Sequence, residues 1–83
     1  MKKDAFKETI SNGQQFYFKP KYDAKENLYY IINGYQNKVK DFTMTQKEKD
    51  EKGNVWEIAP TANVPTEIRG LELDFVNAIV AER

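Results

Sequence analysis

Gln15-Phe16-Tyr17-Phe18-Lys19-Pro20-Lys21-Tyr22 and, after a five-residue polar connection, Leu28-Tyr29-Tyr30-Ile31-Ile32 are the stretches that decide the fold. In the first, Phe16, Phe18 and Tyr22 alternate with Tyr17, Lys19 and Lys21, the period of two that marks a half-buried strand. The second is rich in β-forming residues, with Leu28, Tyr30 and Ile32 on one face and Tyr29 and Ile31 on the other. Asp23-Ala24-Lys25-Glu26-Asn27 joins them as a hairpin. Pro20 cannot donate to a ladder, so the first of these strands is expected at a sheet edge, or paired at that point only through its other side.

Working outward, Asn33-Gly34 is the dipeptide most willing to adopt positive φ, and it predicts a tight turn that folds the next strand, about 37–45, back antiparallel. There Phe42 and Met44 share a face while Val39 has the opposite parity, so a bulge is expected to bring all three inward. The mixed-sign run from Gln46 to Gly53 reads as an exposed hairpin tip. A fourth strand over 54–59 follows, with Trp56 and Ile58 inward, and the segment from Pro60 to Pro65 is a connector. No internal repeat or low-complexity tract is evident, which removes solenoid and fibrous architectures.

Both ends read as helices. Over 4–10, Ala5, Phe6 and Ile10 fall near helical spacing with Asn12-Gly13 as a stop, which predicts a short amphipathic helix that needs docking to persist. Over 66–83, Ile68, Leu71, Phe75, Val76, Ile79 and Val80 follow helical spacing behind Pro65, with Glu67 in the first turn. Gly70 costs such a helix about 1 kcal/mol relative to alanine. Leu71, Leu73 and Phe75 also alternate, so a fifth strand over 68–75 with a short terminal helix is the competing arrangement.

The expected fold is therefore α+β, one domain over residues 1–83: a four-stranded antiparallel sheet with a C-terminal helix packed on one face and a short N-terminal helix. The covered face should contain Phe16, Phe18, Leu28, Tyr30, Ile32, Phe42, Trp56 and Ile58. A domain of this length hides only roughly 60–65% of the surface of its unfolded chain. Its five Phe, five Tyr and one Trp answer that shortage, each burying on the order of 150–250 Å².

Cysteine and histidine are both absent. Disulfides, thiolate nucleophiles, thiolate metal sites and imidazole bases go with them. Glu48, Asp50 and Glu51 are the acidic cluster best placed for a hard cation, but they lack calcium-loop spacing and alternate with Lys47, Lys49 and Lys52. No glycine-rich phosphate loop or nucleophile elbow occurs. No catalytic residue, metal site or small-molecule cofactor is assigned, and a non-enzymatic module is expected. The basic start Met1-Lys2-Lys3 has no apolar run behind it and no stretch is long enough to span a bilayer, so no membrane association and a cytoplasmic location are expected, unless Met1 replaces a removed signal. The Lys-, Asn- and Tyr-rich composition resembles that of small accessory proteins of AT-rich bacteria and their phages.

Net charge is zero but polarised along the chain. Residues 1–40 carry eight Lys against four acidic residues, a net +4, and the remainder carries five basic against nine acidic residues, a net −4. In a small mixed fold such asymmetry chiefly lets the two halves attract each other. Tyr17, Lys19, Lys21 and Tyr29 lie on the parity opposite the core and form the candidate binding surface. A protein partner or self-association is the first reading, since tyrosine is favoured at interfaces, a sheet edge accepts an added strand, and the acids Glu67, Glu72 and Asp74 on the last helix suit a basic surface. Single-stranded nucleic acid is the alternative, bases stacking on the rings while ammonium groups meet phosphates; zero net charge argues against strong phosphate affinity.

Overall fold

The computed structural model describes residues 4–35, 39–60 and 64–81. Five strands, β1 (Phe6–Thr9), β2 (Gln15–Tyr22), β3 (Leu28–Tyr35), β4 (Phe42–Gln46) and β5 (Trp56–Ile58), precede a short helix α1 (Thr66–Arg69) and a longer one, α2 (Glu72–Ala81). The strands form one sheet in sequence order, each antiparallel to the next. The chain is thus α+β with an antiparallel sheet and a C-terminal helix, but the sheet has five strands rather than four.

The extra strand replaces the expected N-terminal helix. As a helix of about seven residues the first segment would bury little and fray; as a strand it pairs with β2 from Phe6 opposite Phe18 to Thr9 opposite Gln15. Phe6 then stacks on Phe18, ring centroids 4.7 Å apart and planes within 8°. Asn12-Gly13 is not a helix stop but the tip of the β1–β2 hairpin, with Gly13 at φ 87°. Pro20 sits opposite Tyr30 of β3 beyond the last residue that β1 pairs, so the strand is internal and single-sided only where the proline lies.

Asn33-Gly34 does not turn. Both residues continue β3, Asn33 opposite Tyr17 and Gly34 opposite Phe16, and the strand runs on to Tyr35 opposite Gln15. An eight-residue β2 offers ladder partners along its full length, and pairing overrides the local turn preference. The following strand is consequently shorter than expected, five residues from Phe42. The expected bulge has no role among the described residues: Val39 packs against the core from the connection ahead of β4, and residues 37 and 38 lie outside the described residues.

Three hairpin turns share one geometry. Ile10–Gln14, Asp23–Asn27 and Asp50–Asn54 each close with the first amide donating to the fifth carbonyl and the fourth amide donating to the first carbonyl. The fourth residue is left-handed each time: Gly13 (φ 87°), Glu26 (φ 64°) and Gly53 (φ 83°). This is the three-residue hairpin loop that ends in a left-handed residue. In the second turn Asp23 Oδ1 accepts the Lys25 and Asn27 amides at 2.8 and 2.9 Å. In the third, Asp50 Oδ1 accepts the Lys52 and Asn54 amides at 2.9 and 3.0 Å.

One side of the sheet is dry. Phe16, Phe18, Tyr30, Ile32, Phe42, Met44, Trp56 and Ile58 are buried on it, with Ile10, Ile68, Phe75, Val76, Ala78 and Ile79 completing the core. Leu28, expected in the core, is half-buried at its margin. Phe75 is the keystone: its ring meets Phe16 edge-on at 4.9 Å, Phe42 at 5.2 Å and Phe18 at 6.2 Å. The C-terminal segment is helical as expected, although it breaks at Gly70-Leu71 into two helices. Val80, placed on the apolar stripe by spacing alone, is 43% exposed.

Candidate functional site

The register that buries one face of the sheet leaves the other open, and no described element crosses it. With the N-terminal segment paired at the edge as β1, the only helices among the described residues are α1 and α2, and these serve the core side. Reading across the strands, the open face consists of four rows. Thr9, Gln15 and Tyr35 form the first, and Lys7, Tyr17 and Asn33 the second. Lys19, Ile31 and Thr43 form the third. The fourth has Lys21 beside Tyr29 and Thr45 beside Glu57.

All four residues singled out from sequence, Tyr17, Lys19, Lys21 and Tyr29, lie on this one face. Tyr17 is 39% exposed and Tyr29 is half-buried. Neighbouring β1 and the far end of β3 add residues that sequence reasoning did not connect with them. Tyr35 meets Tyr17 edge-on at 6.5 Å, and Lys7 Nζ lies 4.4 Å from the centre of the Tyr35 ring, within the range of a cation–π contact. The signal for Lys7 lies in the alternation of Phe6, Lys7, Glu8 and Thr9, which the helical spacing of Ala5, Phe6 and Ile10 masks. Tyr35 was hidden because the turn was placed at Asn33-Gly34.

Asn33 sits near the middle of the face. Its Nδ2 donates to Asp41 Oδ1 at 3.0 Å, which fixes Asp41 beside the second row. Its Oδ1 is buried and finds no hydrogen-bond partner among the described residues. Leaving such an acceptor unsatisfied costs about 1–3 kcal/mol.

Charge on the open face is segregated. Lys7, Lys19 and Lys21 occupy the β1–β2 half; Asp41 and Glu57 occupy the β4–β5 half; between them runs the β3 stripe of Tyr35, Asn33, Ile31 and Tyr29. Lys21 and Glu57 are three strand spacings apart, about 14 Å, too far to pair within one chain.

The acids elsewhere have internal tasks. Glu72 Oε2 accepts the Ile58 amide at 2.8 Å and so covers an outward-facing donor of the edge strand β5. Ser11 donates its hydroxyl to Asp74 Oδ2, linking the first hairpin to α2. Asp50 binds Lys47 Nζ at 3.1 Å through Oδ2 while Oδ1 takes two amides. Both oxygens are thereby committed, which disfavours cation binding there. The Asn54 amide foremost holds the Asp50 carboxyl below its ordinary value, and the Asn27 amide does the same for Asp23. A shallow cleft beside α2 is floored by Trp56, Leu73 and Val76, and Leu73 is 54% exposed.

Among the described residues no helix is long and apolar enough to cross a membrane. Comparison of the chain with protein-family models, with curated proteins and with solved structures finds no match.

Proposed function

We propose that this chain is a non-enzymatic binding module that engages a protein partner through the open face of its sheet. The observation that carries the reading is the segregated face itself. A half-buried stripe of tyrosine and isoleucine is flanked by lysines on one side and carboxylates on the other. Aromatic residues at the centre with charge confined to the rim is the composition of protein interfaces. A nucleic-acid groove instead needs a surplus of positive charge along its whole track, and here Asp41 and Glu57 oppose the three lysines.

Capture from the host extract tests the reading. The wild-type chain, immobilised through its C-terminus, should retain a partner protein that Ile31→Asp and Tyr17→Ala lose and that Leu73→Lys, on the opposite side, keeps. Equal retention by all four overturns it. A parallel titration with a labelled single-stranded oligonucleotide reads the alternative. Low-salt binding that falls steeply with salt and disappears in Lys19→Ala with Lys21→Ala would replace the protein reading with a nucleic-acid one.

A further inference from the structure

We propose that the partner seated on the open face is a second copy of this chain, the two sheets packing face to face about a two-fold axis that runs along β3. The proposal rests on the binding-face reading above and adds the identity of the occupant.

The argument is geometric. A two-fold axis lying between two stacked sheets and parallel to their strands leaves each row opposite the same row of the other copy, while reversing the order of the strands. The β1–β2 half of one copy then lies over the β4–β5 half of the other. In the fourth row, Lys21 faces Thr45 of the second copy and stands one strand spacing from its Glu57, about 5 Å along the sheet. In the second row, Lys7 comes within one spacing of Asp41 in the same way, and Tyr17 lies over Asp41. On the axis, Ile31, Tyr29 and Tyr35 meet their own counterparts. Lys21 and Glu57, which cannot reach one another within the chain, are therefore matched twice by one operation, which is the self-complementarity an isologous interface requires.

Packing agrees, and the small shared area sets the strength. Sheets stack about 10 Å apart in aligned sandwiches, a gap that tyrosine and lysine side chains from two faces fill. Under this operation β3 covers β3 and β2 covers β4 of the other copy, while β1 and β5 occupy different rows, so at about 3.3 Å per residue and about 4.8 Å between strands roughly 290 Å² of plane is shared. Side chains standing off that plane raise the accessible surface buried by both copies to roughly 800 Å², below the standard size and in the range of weak, transient contacts. A weak dimer follows.

Sedimentation equilibrium from micromolar to millimolar chain tests this, with far-ultraviolet circular dichroism to establish that each variant is folded. Wild type should dimerise in the stated range and weaken as salt is raised. Lys21→Glu and Glu57→Lys should each loosen the dimer about five- to tenfold, because each replaces two attractions by two repulsions. The double exchange, Lys21→Glu with Glu57→Lys, should restore it, whereas Leu73→Lys should leave it unchanged. A chain that stays monomeric at millimolar concentration overturns the proposal. So does a dimer indifferent to both single exchanges, or one that the double exchange fails to rescue. A monomer that still loses a captured protein on Ile31→Asp separates the outcomes: the face binds, and a different chain occupies it.

Discussion

Replacing Glu26 with glycine should stabilise the fold by about 1 kcal/mol. Three hairpin turns of one geometry occur among the described residues, and two of them place glycine at the left-handed position while the Asp23–Asn27 turn places Glu26 there at φ 64°. A side chain with a Cβ is strained by roughly 1–2 kcal/mol in that region. Glycine removes the strain but returns part of it through the greater freedom of the unfolded chain, on the order of 0.5–1 kcal/mol. Glu26 is exposed, so little packing is lost, and the Asp23 carboxylate keeps its two amides. For a domain of this length a gain of 1 kcal/mol raises the melting temperature by about 4–8 °C. Urea unfolding followed by the fluorescence of the buried Trp56 should show a higher midpoint at unchanged slope. Glu26→Gln separates the loss of charge from the loss of strain and should give little of the gain. The reciprocal change, Gly53→Glu at φ 83°, should destabilise by a similar amount. If Glu26→Gly leaves the midpoint where it was while Gly53→Glu is also neutral, the three turns are not held by the left-handed residue and the reasoning fails.

Phe75→Ala removes the ring that touches Phe16, Phe18 and Phe42 and should cost about 3–5 kcal/mol. Against a total of roughly 4–12 kcal/mol for a chain of this size, circular dichroism at 37 °C should show a partly unfolded population. Glu72→Ala strands the Ile58 amide at the β5 edge and should cost about 1.5–3 kcal/mol, with much of the loss recovered in Glu72→Gln; equal melting temperatures for wild type and both variants would remove the edge-capping role. Acid titration should expose Asp23 and Asp50. Both carboxyls are depressed below their ordinary 3.8 by amide hydrogen bonds, so their contribution is complete above that value and is lost as pH falls through the lower folded one. Asp23→Asn with Asp50→Asn should flatten the fall in stability below pH 4, and an unchanged acid limb would contradict the assignment.

Legibility followed the strength of the local period. The alternation over Gln15–Tyr22 and Leu28–Ile32 places the large residues of those two stretches on their correct sides, because a strand with one dry face tolerates no slip of register. It misled where a short segment satisfied two periods. Phe6 and Ile10 fit a helix turn and a strand almost equally, and the choice was made by something outside the segment: the unpaired edge of β2 needed a partner. Asn-Gly shows the same limit. At Asn12-Gly13 it turns and at Asn33-Gly34 it does not, since a dipeptide preference of about a kilocalorie yields to a ladder that continues on a long neighbouring strand. A better clue lay in the pair Asp23-Ala24-Lys25-Glu26-Asn27 and Asp50-Glu51-Lys52-Gly53-Asn54, whose matching Asp, Lys and Asn positions mark two copies of one turn.

The candidate face was readable in part for the same physical reason. Parity assigns Tyr17, Lys19, Lys21 and Tyr29 to one side from two strands alone, but parity within strands carries no information about which rows lie side by side. That depends on register between strands, and register here is fixed by the turns. Once the Ile10–Gln14 and Asp50–Asn54 turns set β1 against β2 and β5 against β4, Lys7 joins the lysines and Glu57 takes the far end of the row that begins with Lys21. The opposition of charge across the face is therefore a property of the hairpins rather than of any one segment. Shortening the Asp50–Asn54 turn by one residue would move Glu57 to the dry side and bring Trp56 out, abolishing the core and the face together. The turn residues thus hold the proposed binding surface in place as firmly as the aromatic core does.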